Sequence, residues 1–400
     1  MFAEWEKQKG VVLIYPHIFC DFSDNLDDVR DCYDNIISEI AKRENVYIIA
    51  HPSDISVKNR LNDVLKDLGE NSKNCNIFEI PSNDLWARDS IAISIKPRPQ
   101  NLEQSGILES ILNHIIKEDS NASKPNKFAN FIFNGWGLKF AANFDNQINA
   151  TLNKMGLLDS MKSYGFVLEG GSIDYNGSGS LLTTTKCLLE PNRNPHLSKS
   201  EIEEILKSSL NIERVLWLEN GGLLGDDTDS HIDTLARFIN PNTICYIKCD
   251  DLSNPHFSDL NAMENELKNL AKEHNFKLVA LPFCDYAIDK SDLLESRVDE
   301  SEDEGEFAIN SKYFKIAKYL NTHEVSLDSK DNKVYLPASY ANFLFLNENA
   351  LLLPIYNKAS DFKAIEIMKA ALPNYEIIPI NCEALIREHG SLHCVSMQIH

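Results

Sequence analysis

Ser198-Lys-Ser-Glu-Ile-Glu-Glu-Ile-Leu-Lys-Ser-Ser-Leu-Asn-Ile-Glu-Arg-Val-Leu-Trp-Leu218 holds the unit from which the fold is read. Its first part, 198–209, has the periodicity of an amphipathic helix, opened by Ser198 with Glu201 as its capping-box partner. Its end, Arg214 to Leu218, is a short strand rich in residues that suit a pleated sheet. The same order of helix then strand occurs five times, with helices near 24–43, 54–68, 198–209, 258–274 and 360–371. The strands that follow are 46–50, 76–80, 214–218, 276–280 and 375–379. Ser23, Ser53 and Ser258 stand at the other expected helix starts.

Further strands are expected at 11–15, 91–95, 166–168, 180–188 and 243–248, with a hairpin of 342–346 and 350–355. Recurrent helix-strand units with extra strands predict an α/β array of small blades, not a doubly wound sheet with a single Gly-rich crossover. Two segments read as surface insertions. One, 96–128, begins Lys-Pro-Arg-Pro and contains a short apolar helix, 107–116. The other, 285–334, contains Asp299-Glu-Ser-Glu-Asp-Glu-Gly-Glu306, a self-repelling run that predicts a solvated loop.

Composition narrows the class. The chain has 400 residues, 43% hydrophobic and 25% charged, which suits a soluble globular protein with a sizeable core. The amino terminus lacks a secretory pattern and no apolar run reaches membrane-spanning length, so the protein reads as cytoplasmic. Nine scattered cysteines without a CxxC pair argue against a disulfide framework and a zinc ribbon. Cys245 and Cys249 lie on one face of an expected strand, where core packing accounts for them, and no metal site is expected. A net charge of −21 opposes binding to nucleic acid or an anionic membrane and favours a cationic small molecule.

Four polar stretches interrupt the pattern, each in a loop beside a strand. Asn83-Asp-Leu-Trp-Ala-Arg-Asp89 follows a strand, and as plain structure it would be a capped turn with Arg88 paired to an acid. In Leu168-Glu-Gly-Gly-Ser-Ile-Asp174, Glu169 sits between an apolar strand and two glycines, where enclosure would raise its pKa and suit it to proton transfer. Gly225-Asp-Asp-Thr-Asp-Ser-His-Ile-Asp233 lacks the EF-hand spacing, and it puts His231 and Asp233 on one face of an extended segment. Gly390-Ser-Leu-His-Cys394 ends in a cysteine that, taken alone, reads as a buried structural thiol. Taken together, the candidates are one cysteine, one histidine, one glutamate and two aspartates. A cysteine nucleophile needs its thiolate, and a surplus of carboxylates suits an electrophile that is itself a cation. A guanidinium fits best, because its planar fork matches paired carboxylates.

In these motifs the chain resembles the bacterial agmatine deiminases, relatives of the peptidylarginine deiminases in the guanidino-group-modifying, or pentein, superfamily. The likeness runs nearly end to end. It takes in Ala3-Glu-Trp-Glu-Lys7 with Tyr15-Pro16-His17, the 83–89 motif, Phe133-Asn-Gly-Trp-Gly137, Glu169-Gly-Gly-Ser172, the stretch 181–195, the 225–233 motif and 390–398. The resemblance implies a five-bladed α/β propeller, the pentein fold, in agreement with the five units counted above, and a single catalytic domain spanning 1–400. It implies hydrolysis of agmatine to N-carbamoylputrescine and ammonia, a step of polyamine synthesis, through a covalent amidino-cysteine intermediate and without metal or organic cofactor. It suggests a homodimer. Cys394 matches the nucleophile, His231 and Glu169 the proton-transferring pair, Asp89 and Asp233 the pair that grips the guanidinium, and Trp86 an aromatic wall of the pocket.

Ser230 stands where many relatives have glycine, Asp89-Ser-Ile91 where they have Asp-Xaa-Gly, and Tyr15-Pro16 where some have Trp-Pro. These departures and the two insertions bear on substrate choice more than on chemistry. The alternative within the class is a deiminase of carboxy-terminal arginine in a peptide or of another guanidine. The alternative outside it is a module that binds a cationic amine or guanidine without turnover, which ammonia release distinguishes.

Overall fold

Gly10–Ile14 is apolar without alternation because the strand is covered on both sides. Val11 and Leu13 enter one core cluster, Val12 and Ile14 the next. In the computed structural model, which describes residues 1–96, 127–289 and 333–400, this strand organises the first sheet. It pairs parallel with Asn45–Ala50, which pairs parallel with Cys75–Glu79. On its other edge it pairs antiparallel with Ser396–Ile399, Gly10 facing Ile399. The expected helix at 107–116 and the acidic run at 299–306 lie outside the described residues, as do most of the two segments read as insertions.

Four more sheets repeat this pattern of an antiparallel strand, a central strand and a parallel strand reached through a helix. They are Ile93–Ser94, Phe128–Ile132 and Met161–Val167; Ile173–Tyr175, Ser180–Thr184 and Arg214–Leu218; Ala236–Asn240, Thr243–Lys248 and Lys277–Pro282; and Leu344–Leu346, Ala350–Ile355 and Glu376–Asn381. A short ladder joins Ala287–Asp289 to Lys333–Tyr335. The architecture is mixed α/β.

All five expected helix-strand units are present, with helices Leu26–Ala41, Ile55–Leu68, Lys199–Leu210, Phe257–His274 and Ser360–Ala371. They do not map one to one onto the sheets. Two units share the first sheet, whereas Phe128–Ile132 and Met161–Val167 are joined through a helix, Asp145–Lys154, that the periodicity did not reveal. This helix buries Asp145 and Asn149 beside Ile148 and Leu152, so its inner face carries no continuous apolar stripe. The buried polar groups are bonded. Asn149 accepts from Ala92 N at 3.0 Å and donates to Ser90 O at 2.7 Å, and Asp145 accepts from Asn83 N at 2.6 Å.

The helix starts also differ in detail. Asp54, not Ser53, caps Ile55–Leu68, Ser23 lies in a 3-10 turn, and Ser258 falls inside a helix that begins at Phe257. The expected strand at 180–188 divides into Ser180–Thr184 and a helical turn, Thr185–Leu188, whose Cys187 N donates to the Thr184 hydroxyl. Ser198 does form the capping box with Glu201. Replacing Ser198 with Ala should therefore lower unfolding stability by about 1 kcal/mol in a denaturant titration.

Candidate active site

In four of the five sheets the turn that leads into the antiparallel strand carries candidate residues. Asp89 lies in the helical turn Ala87–Ser90 ahead of Ile93–Ser94, and Glu169 precedes the turn Gly170–Ser172 ahead of Ile173–Tyr175. His231 and Asp233 flank Ile232 ahead of Ala236–Asn240, and Cys394 leads into Ser396–Ile399. Repetition of one local plan thus points residues far apart in sequence at one place.

Cys394, Asp89, Asp233, Glu169 and His231 are all buried. Cys394 Sγ lies 3.8 Å from Asp233 Oδ2, and His231 Nδ1 lies 3.7 Å from Asp89 Oδ1. Gly171 sits among them, and a Cβ built there would stand 2.7 Å from His231 Nδ1, 2.9 Å from Asp89 Oδ1 and 3.0 Å from Asp233 Oδ2. Its N–H donates to Asp89 Oδ1 at 2.9 Å, while Trp136 Nε1 donates to Asp89 Oδ2 at 3.0 Å. Trp86 lies against Gly390, where a Cβ would fall 2.0 Å from the indole, and meets Trp136 edge-on with ring centroids 6.4 Å apart.

Four partners of these residues were not identified from sequence. Asn342 Nδ2 donates to Cys394 Sγ at 3.2 Å; its Oδ1 accepts the His393 N–H at 2.8 Å, which fixes the amide's orientation. Arg193 places Nε 3.0 and 2.9 Å from the two Glu169 oxygens and Nη1 2.7 Å from Asp229 Oδ2. His393 and Glu4 form a chain behind Asp233, with His393 Nδ1 at 2.7 Å from Asp233 Oδ2 and Nε2 at 2.6 Å from Glu4 Oε1. Arg193 and Glu4 stood in motifs that carried the family resemblance, but nothing in their spacing showed what they touch.

Burial and the charges of Asp233 and Glu169 push Asp89 up to about 8. Burial works the same way on Asp233, but the His393 hydrogen bond and nearby cations outweigh it and hold that carboxyl below the usual range. Burial raises Glu169 against the opposing Arg193. It lowers His231 to about 3, so the imidazole is neutral. Burial, Asp233 and Asp89 together push the Cys394 thiol well up. Asp233 Oδ1 and His231 Nε2 are buried without a hydrogen-bond partner among the described residues. Unsatisfied buried acceptors beside a thiol suit a ligand that brings its own N–H donors.

Glu169, Cys187 and His231 place ligand-type atoms within 4.8 Å of one another. Both Glu169 oxygens already face Arg193, which would repel a cation bound there.

A buried thiol, a neutral imidazole and two carboxylates brought together have the chemistry of a cysteine hydrolase for a cationic group. The chain belongs to the Porphyromonas-type peptidyl-arginine deiminase family, whose model matches residues 1–399. A cysteine-to-serine variant of C. jejuni agmatine deiminase, solved with substrate bound, is 31% identical; the match covers 100% of this chain and 95% of that one with a TM-score of 0.75. Agmatine deiminase of Pseudomonas savastanoi pv. phaseolicola is 26% identical over 99% of this chain and 94% of its own length. Agmatine deiminase of Pseudomonas fluorescens is 28% identical over 81% of this chain and 77% of its own.

Substituting Gly171 with Ala would push three site side chains apart. Turnover should fall on the order of 10²-fold with the thermal melt nearly unchanged, and a fully active variant would show that the three do not act from these positions.

Proposed function

We propose that this protein is a hydrolase of guanidino groups with agmatine as its substrate, releasing ammonia and N-carbamoylputrescine. The observation that carries this reading is the buried Cys394 thiol 3.8 Å from Asp233, with Asp89, His231 and Glu169 around it. The agmatine deiminase relatives support it. Among the described residues, Arg88, Arg193 and Arg237 approach the site, and all three are buried and tied to carboxylates, so none of them is offered to a substrate carboxylate. Near Trp86, burial and the charges of Asp21, Asp145 and Glu388 push Asp84 well up. Such surroundings favour the terminal amine of agmatine over the carboxylate of arginine.

The guanidinium binds with its N–H groups on Asp89 and Asp233, and Trp86 walls the pocket. The arriving cation offsets the carboxylate charge that keeps the thiol protonated, so the Cys394 proton can pass to His231. The thiolate attacks the guanidinium carbon, with the Asn342 amide donating to sulfur. His231 returns the proton to the departing nitrogen, which leaves as ammonia and yields an amidino-thioether. His231 then takes a proton from water as that water attacks the same carbon. Collapse of the second adduct breaks the carbon–sulfur bond; the adduct's hydroxyl proton passes to sulfur, restoring the Cys394 thiol and leaving the urea, and His231 gives the proton it took from water to solvent or the released ammonia. Glu169, held by Arg193, steadies the charge on His231 during both transfers.

The five sheets with a common strand plan support a five-bladed propeller arrangement, with 1–400 as one catalytic domain and the two long segments as additions to it. Among the described residues no helix is long and apolar enough to cross a membrane.

Cys394→Ala should lose more than roughly 10³-fold in ammonia release from agmatine while melting normally. Wild-type activity in that variant would remove the nucleophile from the scheme, and faster release from a carboxy-terminal arginine peptide than from agmatine would overturn the substrate. With Asp89 at about 8, the empty site holds a proton there at neutral pH that a bound cation expels. Calorimetry of agmatine binding to Cys394→Ala in buffers of different ionisation heat should show proton release at pH 7. Release should fade above pH 8 and vanish in the additional Asp89→Asn variant.

A further inference from the structure

His393 lies between two carboxylates. Its Nδ1 is 2.7 Å from Asp233 Oδ2 and its Nε2 2.6 Å from Glu4 Oε1, and the ring is 1% exposed. Each contact is short enough to require a proton between nitrogen and oxygen. A neutral imidazole supplies only one.

Glu4 is an acceptor on every side. Arg88 Nη1 lies 3.1 Å from its Oε1, Arg237 Nη2 bonds its Oε2, and Gln398 Nε2 donates to Oε2 at 3.1 Å. Burial opposes its charge, but Arg237, His393 and Arg88 outweigh burial and hold the Glu4 carboxyl well below the usual range. Arg237 is in turn held by Asp174 at 3.1 Å. For the His393 ring, burial, Arg237 and Arg88 outweigh Glu4 and Asp233 and lower its affinity for a second proton; the two short contacts, one at each ring nitrogen, are the reason to place that proton there nonetheless. With ionised acceptors at both nitrogens, the doubly protonated ring is the state that leaves no lone pair facing an oxygen.

We propose that His393 is a positioning residue, held as an imidazolium between Glu4 and Asp233, and that this clamp turns Asp233 so that Oδ1 faces the substrate's guanidinium. Asp233 Oδ2 lies 2.7 Å from the ring and 3.8 Å from Cys394 Sγ, which leaves Oδ1, buried and unpartnered among the described residues, as the acceptor for a substrate N–H. The ring's charge also separates the Asp233 carboxylate from that of Glu4. The clamp's part in substrate binding rests on the guanidine-hydrolysis reading; the protonation of the ring does not.

Two measurements test this. In protein labelled with 15N in its eleven histidine rings, one ring should carry protons on both nitrogens at pH 8, and that signal should be missing from His393→Gln. If every ring is singly protonated at pH 8, the clamp is wrong. In Glu4→Gln, whose folding is checked by thermal melt, the ring should lose its second proton. The KM for agmatine should then rise about tenfold with kcat within about threefold, the pattern of lost uniform binding. An unchanged KM in a folded Glu4→Gln variant overturns the positioning role, and should that variant not fold, the ring measurement on the wild type decides. A wild-type protein that releases no ammonia from agmatine defeats the substrate reading, and the ring measurement still judges the clamp.

Discussion

Antiparallel pairing of Ser396–Ile399 with Gly10–Ile14 is the constraint on which the site depends. It brings Cys394 to a place it could not hold as a loose tail. The Cys394 carbonyl accepts the Arg88 N–H at 3.1 Å, and the Arg88 side chain reaches Gln398 at 2.6 Å and Glu4 at 3.1 Å. The ladder and the arginine together lock the thiol's strand to the turn that carries Asp89. Remove either and the distance between sulfur and the paired acids is no longer defined.

Electrostatics then divides the carboxylates into two groups. Glu169 and Glu4 face arginines. Asp89 and Asp233 lie beside His231 and Cys394, and their environments push them in opposite directions, Asp89 up to about 8 and Asp233 down. Two acids in so small a volume are tolerated because burial and its neighbours hold one of them, Asp89, towards its protonated form. Neighbouring hydrogen bonds from Trp136 and Gly171 orient Asp89 without neutralising it.

Much of this was legible in the sequence, and the remainder was hidden for identifiable reasons. Continuous apolar runs such as Gly10–Ile14 and amphipathic helices such as Lys199–Leu210 announced themselves by periodicity. Asp145–Lys154 did not, because Asp145 and Asn149 take inward positions that apolar residues usually fill. The agreement between five helix-strand units and five sheets was partly accidental, since two units share one sheet and one sheet uses the overlooked helix. At the site, short polar motifs flanked by glycine exposed Asp89, Glu169, His231, Asp233 and Cys394, all of which the structure gathers. Asn342, Arg193, Glu4 and the part played by His393 were not legible, because each acts through a partner distant in sequence. Glu4 and His393 stand near opposite ends of the chain, and no local pattern links them.

The first sheet has a consequence for the order of folding. Four of the sheets are assembled from strands that follow one another along the chain, so the turns bearing Asp89, Glu169, His231 and Asp233 can form while synthesis continues. The Gly10 to Ile399 pairing instead closes a loop of nearly the whole polypeptide, a contact of the kind that forms late. The Cys394 thiol therefore meets Asp89, His231 and Asp233 only in the event that completes the first sheet. A partly folded chain carries each of these side chains and still has no assembled centre.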